Sequence, residues 1–380
     1  MKKVGITMYL IVALLIGFTG AFLVYKRQVQ LNITTLAGAP IMATGIVIIS
    51  VFNHVVQYDW IELTLFIFFL VSLLLLVLYL INEMKQGLFY ERHLESPITS
   101  FGIGTWIASI SLGNVLISVY QSNAITIVFY SLNIGLLWTG YITWLFRNYS
   151  IILNRFNEYI DKFQGGLLLS TVGTQSVVIS GYFVFEEQFP APLARTLIWF
   201  GLLLYIGNLI LILYRYVKLP IREIIDHWTN SNCIIHGALS ITGVAISFAY
   251  PEISLLHYFV WGLALFFFIL VEWIELLRGF SRYRKYGWNE GFMVYSPSQW
   301  SRIFTFAMFL YFTERIFVIG QDAIQIWVNV FVYGMSITIV LLFIAQWVIL
   351  GKSLINEFAE KKEAGTNLSY KLRNTNDNLI

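Results

Sequence analysis

The chain has 380 residues, of which 58% are hydrophobic and only 12% charged, with a net charge of +3 and a mean hydropathy of +0.73. An ordinary soluble domain is roughly a quarter charged, so this composition excludes a soluble globular protein and indicates a polytopic membrane protein. A single cysteine, Cys233, excludes an intramolecular disulfide and a multi-cysteine metal site, and no sequence pattern points to a bound metal, a cofactor or a nucleic acid.

The first apolar span, residues 5–25, follows Lys2 and Lys3 and precedes Lys26 and Arg27. A basic start before an apolar run also describes a signal peptide, but no small-x-small cleavage site precedes Lys26. We therefore expect residues 1–36 to form a retained extra transmembrane helix and linker.

Ten further spans follow, near 40–57, 60–81, 98–119, 124–146, 165–185, 196–217, 233–250, 253–277, 300–319 and 324–350. Each is near the ~20 residues a helix needs to cross a bilayer. Residues 37–350 thus form one membrane domain, and 351–380 form a tail. The connections alternate in character. Those at YQSNA, Pro251-Glu252 and Gly320 are short and lack Lys or Arg. Four longer ones carry Lys85 and Arg92; Arg147, Arg155 and Lys162; Arg215, Lys218 and Arg222; or Arg278, Arg282, Arg284 and Lys285. All basic connections fall on one side of the alternation, which the positive-inside rule makes cytoplasmic; the C-terminus lies there too.

The ten spans also alternate in composition. Those starting near 38, 97, 165, 232 and 300 are rich in Gly, Ser, Thr and Ala, and each is followed by a Leu/Phe-rich span such as LFIFFLVSLLLLVLYL. The starts are 59, 68, 67 and 68 residues apart, a repeat of one helical hairpin. Five small-residue helices then form an inner ring and five bulky ones an outer ring.

Placed at 100° per residue, the small residues make stripes. Gly166, Ser170, Gly173 and Thr174 share one face of the third inner span. Gly102, Thr105, Ser109 and Gly113 share a face of the second, and His236, Ser240, Gly243 and Ser247 a face of the fourth. Such stripes serve either close helix packing or the wall of a polar path. Hydroxyls mixed with the glycines favour the wall, because a permeation path needs hydrogen-bonding groups. Gln175 points away from its stripe without an evident role.

Ionisable residues in the inner spans are few: His54, His236, Arg302, Glu314 and Arg315. Arg302, Glu314 and Arg315 lie near helix ends, where snorkelling accounts for them, and His236 lies near the cytoplasmic mouth. With no carboxylate in the middle of any inner span, the path suits anions better than cations. No enzyme signature stands out. His54 and Asp59 in NHVVQYD have the NHxxxxD spacing of glycerolipid acyltransferases, without the soluble α/β domain that chemistry requires. A membrane enzyme resting on that pair and a sealed scaffold or sensor are the rival readings.

Four segments resemble one family in order. APIMATGIVIIS (39–50), GGLLLSTVGTQSVVISG (165–181), HGALSITGVAIS (236–247) and YSPSQWSRIFTFAMF (295–309) are similar to segments of the tellurite-resistance/C4-dicarboxylate transporter family. That family includes fungal malate permeases, bacterial tellurite-resistance proteins and plant guard-cell slow anion channels. The resemblance implies an all-α membrane fold of ten helices in five tandem hairpins around a central pore. It also implies a homotrimer in the cell membrane and passage of a small anion, either inorganic or a C4-dicarboxylate such as malate. A phenylalanine on the ninth family helix closes the pore; by motif it falls on Phe304. Thr305 stands where a proline usually follows, which puts the local kink in doubt.

Overall fold

A computed structural model describes residues 34–52, 59–120, 123–317 and 324–376. The expected helix over 5–25 and His54 lie outside the described residues, as does the side chain of Asp59. Among the described residues the secondary structure is helical throughout, with no strand. In hydrocarbon every backbone N–H and C=O must find its partner inside its own segment, which leaves an open chain only the helix.

The helices are α1 (Gly38–Ser50), α2 (Asp59–Lys85), α3 (Ile103–Tyr120), α4 (Asn123–Leu132), α5 (Thr139–Asn154), α6 (Leu169–Phe185), α7 (Ala191–Lys218), α8 (Ile234–Ala249), α9 (Leu255–Phe292), α10 (Trp300–Phe317) and α11 (Ile324–Asn376). A π-helical segment, Asn133–Trp138, joins α4 and α5 into one rod. Among the described residues, seven helices are long and apolar enough to cross a membrane. The other three positions in the repeat are α1, only 13 residues long, the α4–α5 rod with its π segment, and α10 with its three charged residues.

The expected inner and outer rings are both present. α1 packs on α3, α3 on α6, α6 on α8, α8 on α10, and α10 back on α1, closing a five-helix ring. Around it, α2 lies against α1 and α3, α4 against α3 and α6, α7 against α6 and α8, and α9 against α8 and α10. α11 packs on α10, and its Trp347 meets Phe68 of α2 edge-on at 5.1 Å, which ties the last hairpin to the first. Burial separates the two classes. In the spans containing α3, α6 and α8, 83, 89 and 94% of residues are buried, against 22, 39, 17 and 22% for α2, α7, α9 and α11. The bulkier, greasier helices are the exposed ones because lipid is the solvent, while the small-residue helices lie inside because they must approach closely.

The hairpin repeat is marked locally as well. Short 3-10 turns open four of the inner helices: Thr99–Gly102, Gly165–Leu168, Asn230–Cys233 and Pro297–Gln299. Neighbouring turns touch around the ring, and the Gly165 amide donates to Asn232 Oδ1 at 2.8 Å. The N-termini of the inner helices therefore gather at one mouth, the end preceded by the basic connections. α10 runs unbroken from Trp300 to Phe317, with Thr305 hydroxyl-bonded to Arg302 O at 3.1 Å. α11 likewise runs unbroken through residue 350 and carries the helix into the tail.

Glycine sets the ring's diameter at the α3–α6 seam. A Cβ on Gly104 would lie 2.1 Å from the carbonyl oxygen of Leu169, so these backbones are in direct contact. Gly104→Val should force the two helices apart and destabilise the fold by roughly 1–3 kcal/mol. Gly207→Ala, exposed on α7 with open space around its Cβ position, should leave stability unchanged or slightly raised. Thermal unfolding of the two variants in detergent checks the contrast.

Candidate functional site

All five inner helices contribute to one cavity on the ring axis. It leaves about 20 Å³ for water centres, room for about one molecule. Its wall comprises Ile46 and Ile49 of α1, Ala108, Ser111, Leu112 and Val115 of α3, Ile179, Ser176 and Phe183 of α6, Ile241 and Val244 of α8, and Phe304, Met308 and Tyr311 of α10. The wall holds no ionisable carboxylate, ammonium or guanidinium; its polar side chains are Ser111, Ser176 and Tyr311.

Phe304 differs from the other buried phenylalanines of α10. Phe306 packs on Phe268 and His236, and Phe309 stacks on Phe268 and Trp261, so both bind the inner ring to α9. Phe312 fills the space left by Gly243, where a Cβ would lie 1.9 Å from the ring. Phe304 alone of the four lines the axial cavity, and it is 1% exposed.

The twelve residues of the three small-residue stripes do not line this cavity; apart from Gly166, the structure seats them at seams between helices. Thr105 and Ser109 donate to Gly102 O and Thr105 O within α3, and Ser109 also reaches Gly38 O of α1 at 2.9 Å. Gly102 and Gly113 make room for Thr35 and for Leu73 of α2. Ser170 accepts from Asn208 of α7 at 3.0 Å, Thr174 accepts from Trp138 at 3.3 Å, and Gly173 abuts Gly104. Gly166, half-buried, has open space at its Cβ position. Ser240 bonds back to His236 O, Gly243 holds Phe312, and Ser247 accepts from Arg315 at 3.4 Å. The physical reason is plain. Five helices closing a narrow ring need small residues where helix meets helix, whereas a pinched axis is filled by branched apolar groups. Gln175 also finds its role, donating to Ile198 O of α7 at 3.0 Å over Gly201, whose missing Cβ makes the room.

Arg302 does more than snorkel. Its guanidinium lies 2.8 Å from Glu275 and 3.4 Å from Glu272, both on α9, so an ion pair ties the helix bearing Phe304 to the outer ring. Glu275 also holds Arg278 at 3.1 Å. His236 is fully buried in the same seam, its Nε2 4.0 Å from Glu272, with no hydrogen bond to either ring nitrogen.

Sequence reasoning passed over Asn133. It sits in the π segment, donates 3.0 Å to Ser111 Oγ on the cavity wall, and is buried. Ser176 Oγ lies 3.3 Å from Ser111 Oγ and donates to Gly173 O at 2.8 Å. The wider π turn brings Asn133 and Trp138, five residues apart, to the same inward side, where each bonds a hydroxyl of an inner helix. The available signal was a lone asparagine in an apolar span. A second buried station, Glu83 with His93 at 2.5 Å and Arg92 at 2.7 Å, fastens the end of α2 to the turn before α3.

A closed ring of five parallel small-residue helices with an axial cavity, sheathed by lipid-facing helices, defines a multi-pass helical membrane transport protein. The profile of the voltage-dependent anion channel (SLAC1) family matches residues 32–349, and the chain belongs to that family. Among curated proteins, none gives a significant match.

Ser111→Ala removes the oxygen that Asn133 and Ser176 share and should destabilise the protein by about 0.5–2 kcal/mol, a usual cost for a buried membrane hydrogen bond. Ser118→Ala, whose half-buried hydroxyl bonds Asn114 O within its own helix, should cost less. Melting temperatures of the two variants test this.

Proposed function

We propose that the protein passes small monovalent inorganic anions along the axis of the inner ring, and that the Phe304 ring blocks the path at rest. The observation that carries this reading is the axial cavity itself, to which every inner helix contributes and whose wall includes Phe304 of α10. Family membership supplies the anion class.

The physics agrees on sign. The five inner helices start at the mouth that follows the basic connections, and each helix N-terminus carries roughly half a positive charge. The wall offers an anion the hydroxyls of Ser111, Ser176 and Tyr311 and opposes it with no carboxylate. Glu272 and Glu275 of α9 do not line the cavity and are engaged by Arg302. A neutral, narrow wall without a fixed cation favours a weakly hydrated monovalent anion over a dicarboxylate, which would need a partner for each of two charges. The resemblance further implies a homotrimer with one path per subunit. In this reading the protein lies in the cell membrane with its C-terminus cytoplasmic, on the side of the basic connections.

Anion flux in proteoliposomes tests the proposal. Phe304→Ala should raise chloride or nitrate flux about tenfold or more, equivalent to lowering the barrier by ~1.4 kcal/mol. Phe306→Ala, which removes a ring packed on Phe268, should not raise it. Unchanged flux in Phe304→Ala would overturn the gate, and malate uptake exceeding chloride flux would overturn the monovalent assignment.

A further inference from the structure

A second cavity, larger than the axial one, lies off the axis. About 220 Å³ lies outside the inner ring, between α9, α10 and α11, on the side where the basic connections emerge. Its polar wall is made of Arg278, Arg282 and Arg302 with Glu275, Asn230, Gln299 and Gln346. Three guanidiniums thus meet one carboxylate on the cavity wall, Glu275, and a second behind it, Glu272, which lies 3.4 Å from Arg302.

The pairing leaves charge unspent. Glu275 is shared, 3.1 Å from Arg278 and 2.8 Å from Arg302. Arg278 also donates to Asn230 Oδ1 at 2.6 Å, so its fork is anchored and oriented. Arg282, half-buried one turn further along α9, has no carboxylate partner among the described residues. A guanidinium kept partly out of water beside two others, without a counter-ion, is the arrangement that a bidentate oxyanion completes.

The backbone is shaped to hold this cavity open. Gly287 adopts φ +68°, which breaks α9 and folds its last turn back over the helix. Gly291 then abuts Arg282, where a Cβ would lie 3.3 Å from the Arg282 carbonyl oxygen, and Phe292 closes one wall. Leu342, Ala345 and Ile349 of α11 supply an apolar side. Tyr283, Tyr286 and Trp288 are exposed beside it, as aromatic residues are where a helix leaves the bilayer.

From this geometry we infer that the α9–α10–α11 cavity is a binding site for a phosphate-bearing anion, held by Arg282 with Arg278 and Arg302. The headgroup of an anionic phospholipid fits the whole cavity, with its phosphate on the arginines and its first acyl carbons on the α11 wall. Inorganic phosphate shares the chemistry and would use only the polar half. The site is off the axis and is read by binding, so it stands or falls independently of the transport proposal.

The test uses the purified full-length protein with two probes: short-chain phosphatidic acid, followed by native mass spectrometry, and inorganic phosphate, followed by thermal melting. Wild type should retain phosphatidic acid, and Arg282→Gln should weaken retention about tenfold, the effect of one charge-assisted contact. Arg282→Lys should recover part of the loss. Arg284→Gln, exposed and outside the cavity, should match wild type. A phosphate-dependent rise in melting temperature, lost in Arg282→Gln and unaccompanied by lipid retention, would assign the same site to the free anion. Equal behaviour of wild type and Arg282→Gln with both probes would overturn the inference, as would equal losses in Arg282→Gln and Arg284→Gln. So would early melting of unliganded Arg282→Gln, because an unpartnered arginine contributes nothing to the empty fold.

Discussion

The architecture depends on one constraint, the direct approach of inner-helix backbones. At Gly104 and Leu169, α3 and α6 touch with no side chain between them. Gly165 meets the backbone of Ser231, and Gly38 meets Thr105 in the same way around the ring. In lipid there is no hydrophobic drive to bring helices together, so close van der Waals packing and interhelical hydrogen bonds must do so. Small residues permit that approach, and hydroxyls satisfy themselves on backbone carbonyls while it happens. Five helices drawn this tightly leave an axial cavity with room for no more than about one water, with Phe304 in its wall.

The outer ring then has two duties. It presents bulky apolar surface to lipid, and it fixes the rotation of the inner helices through a few polar stations. Asn208 of α7 bonds Ser170, Asn133 of the π segment bonds Ser111, and Glu275 of α9 holds Arg302. Each station costs desolvation, which a membrane tolerates only when the group is paired. The Arg302 station is of special interest because it lies two residues from Phe304, so the position of the axial ring is linked to an ion pair on the ring's outer side.

Much of the fold was legible in the sequence. The alternation of small-residue and Leu/Phe-rich spans and the hairpin repeat pointed to the two rings, because each reports directly on what a helix faces, lipid or a neighbouring helix. The site was less legible. Thr105, Ser109, Ser170 and Ser240 satisfy their hydroxyls on backbone carbonyls at seams, and a seam and a pore wall show the same periodicity of small residues. Only three-dimensional closure decides which face looks inward. Ser111 and Ser176, by contrast, sit among Ala108, Ile179 and Val115, and nothing in their spacing set them apart. Phe304 came from resemblance, since α10 offers Phe304, Phe306, Phe309 and Phe312 with no pattern to choose among them.

The central claim is that the anion path runs along the ring axis past Ser176, not along the stripe that carries Ser170. Single cysteines at these two positions distinguish the routes, in a background where Cys233 is replaced by alanine and Phe304 by alanine to open the axis. A small thiol-reactive anion applied to proteoliposomes should block chloride flux through Ser176→Cys and leave Ser170→Cys untouched. Block through Ser170→Cys with Ser176→Cys unaffected would contradict the account.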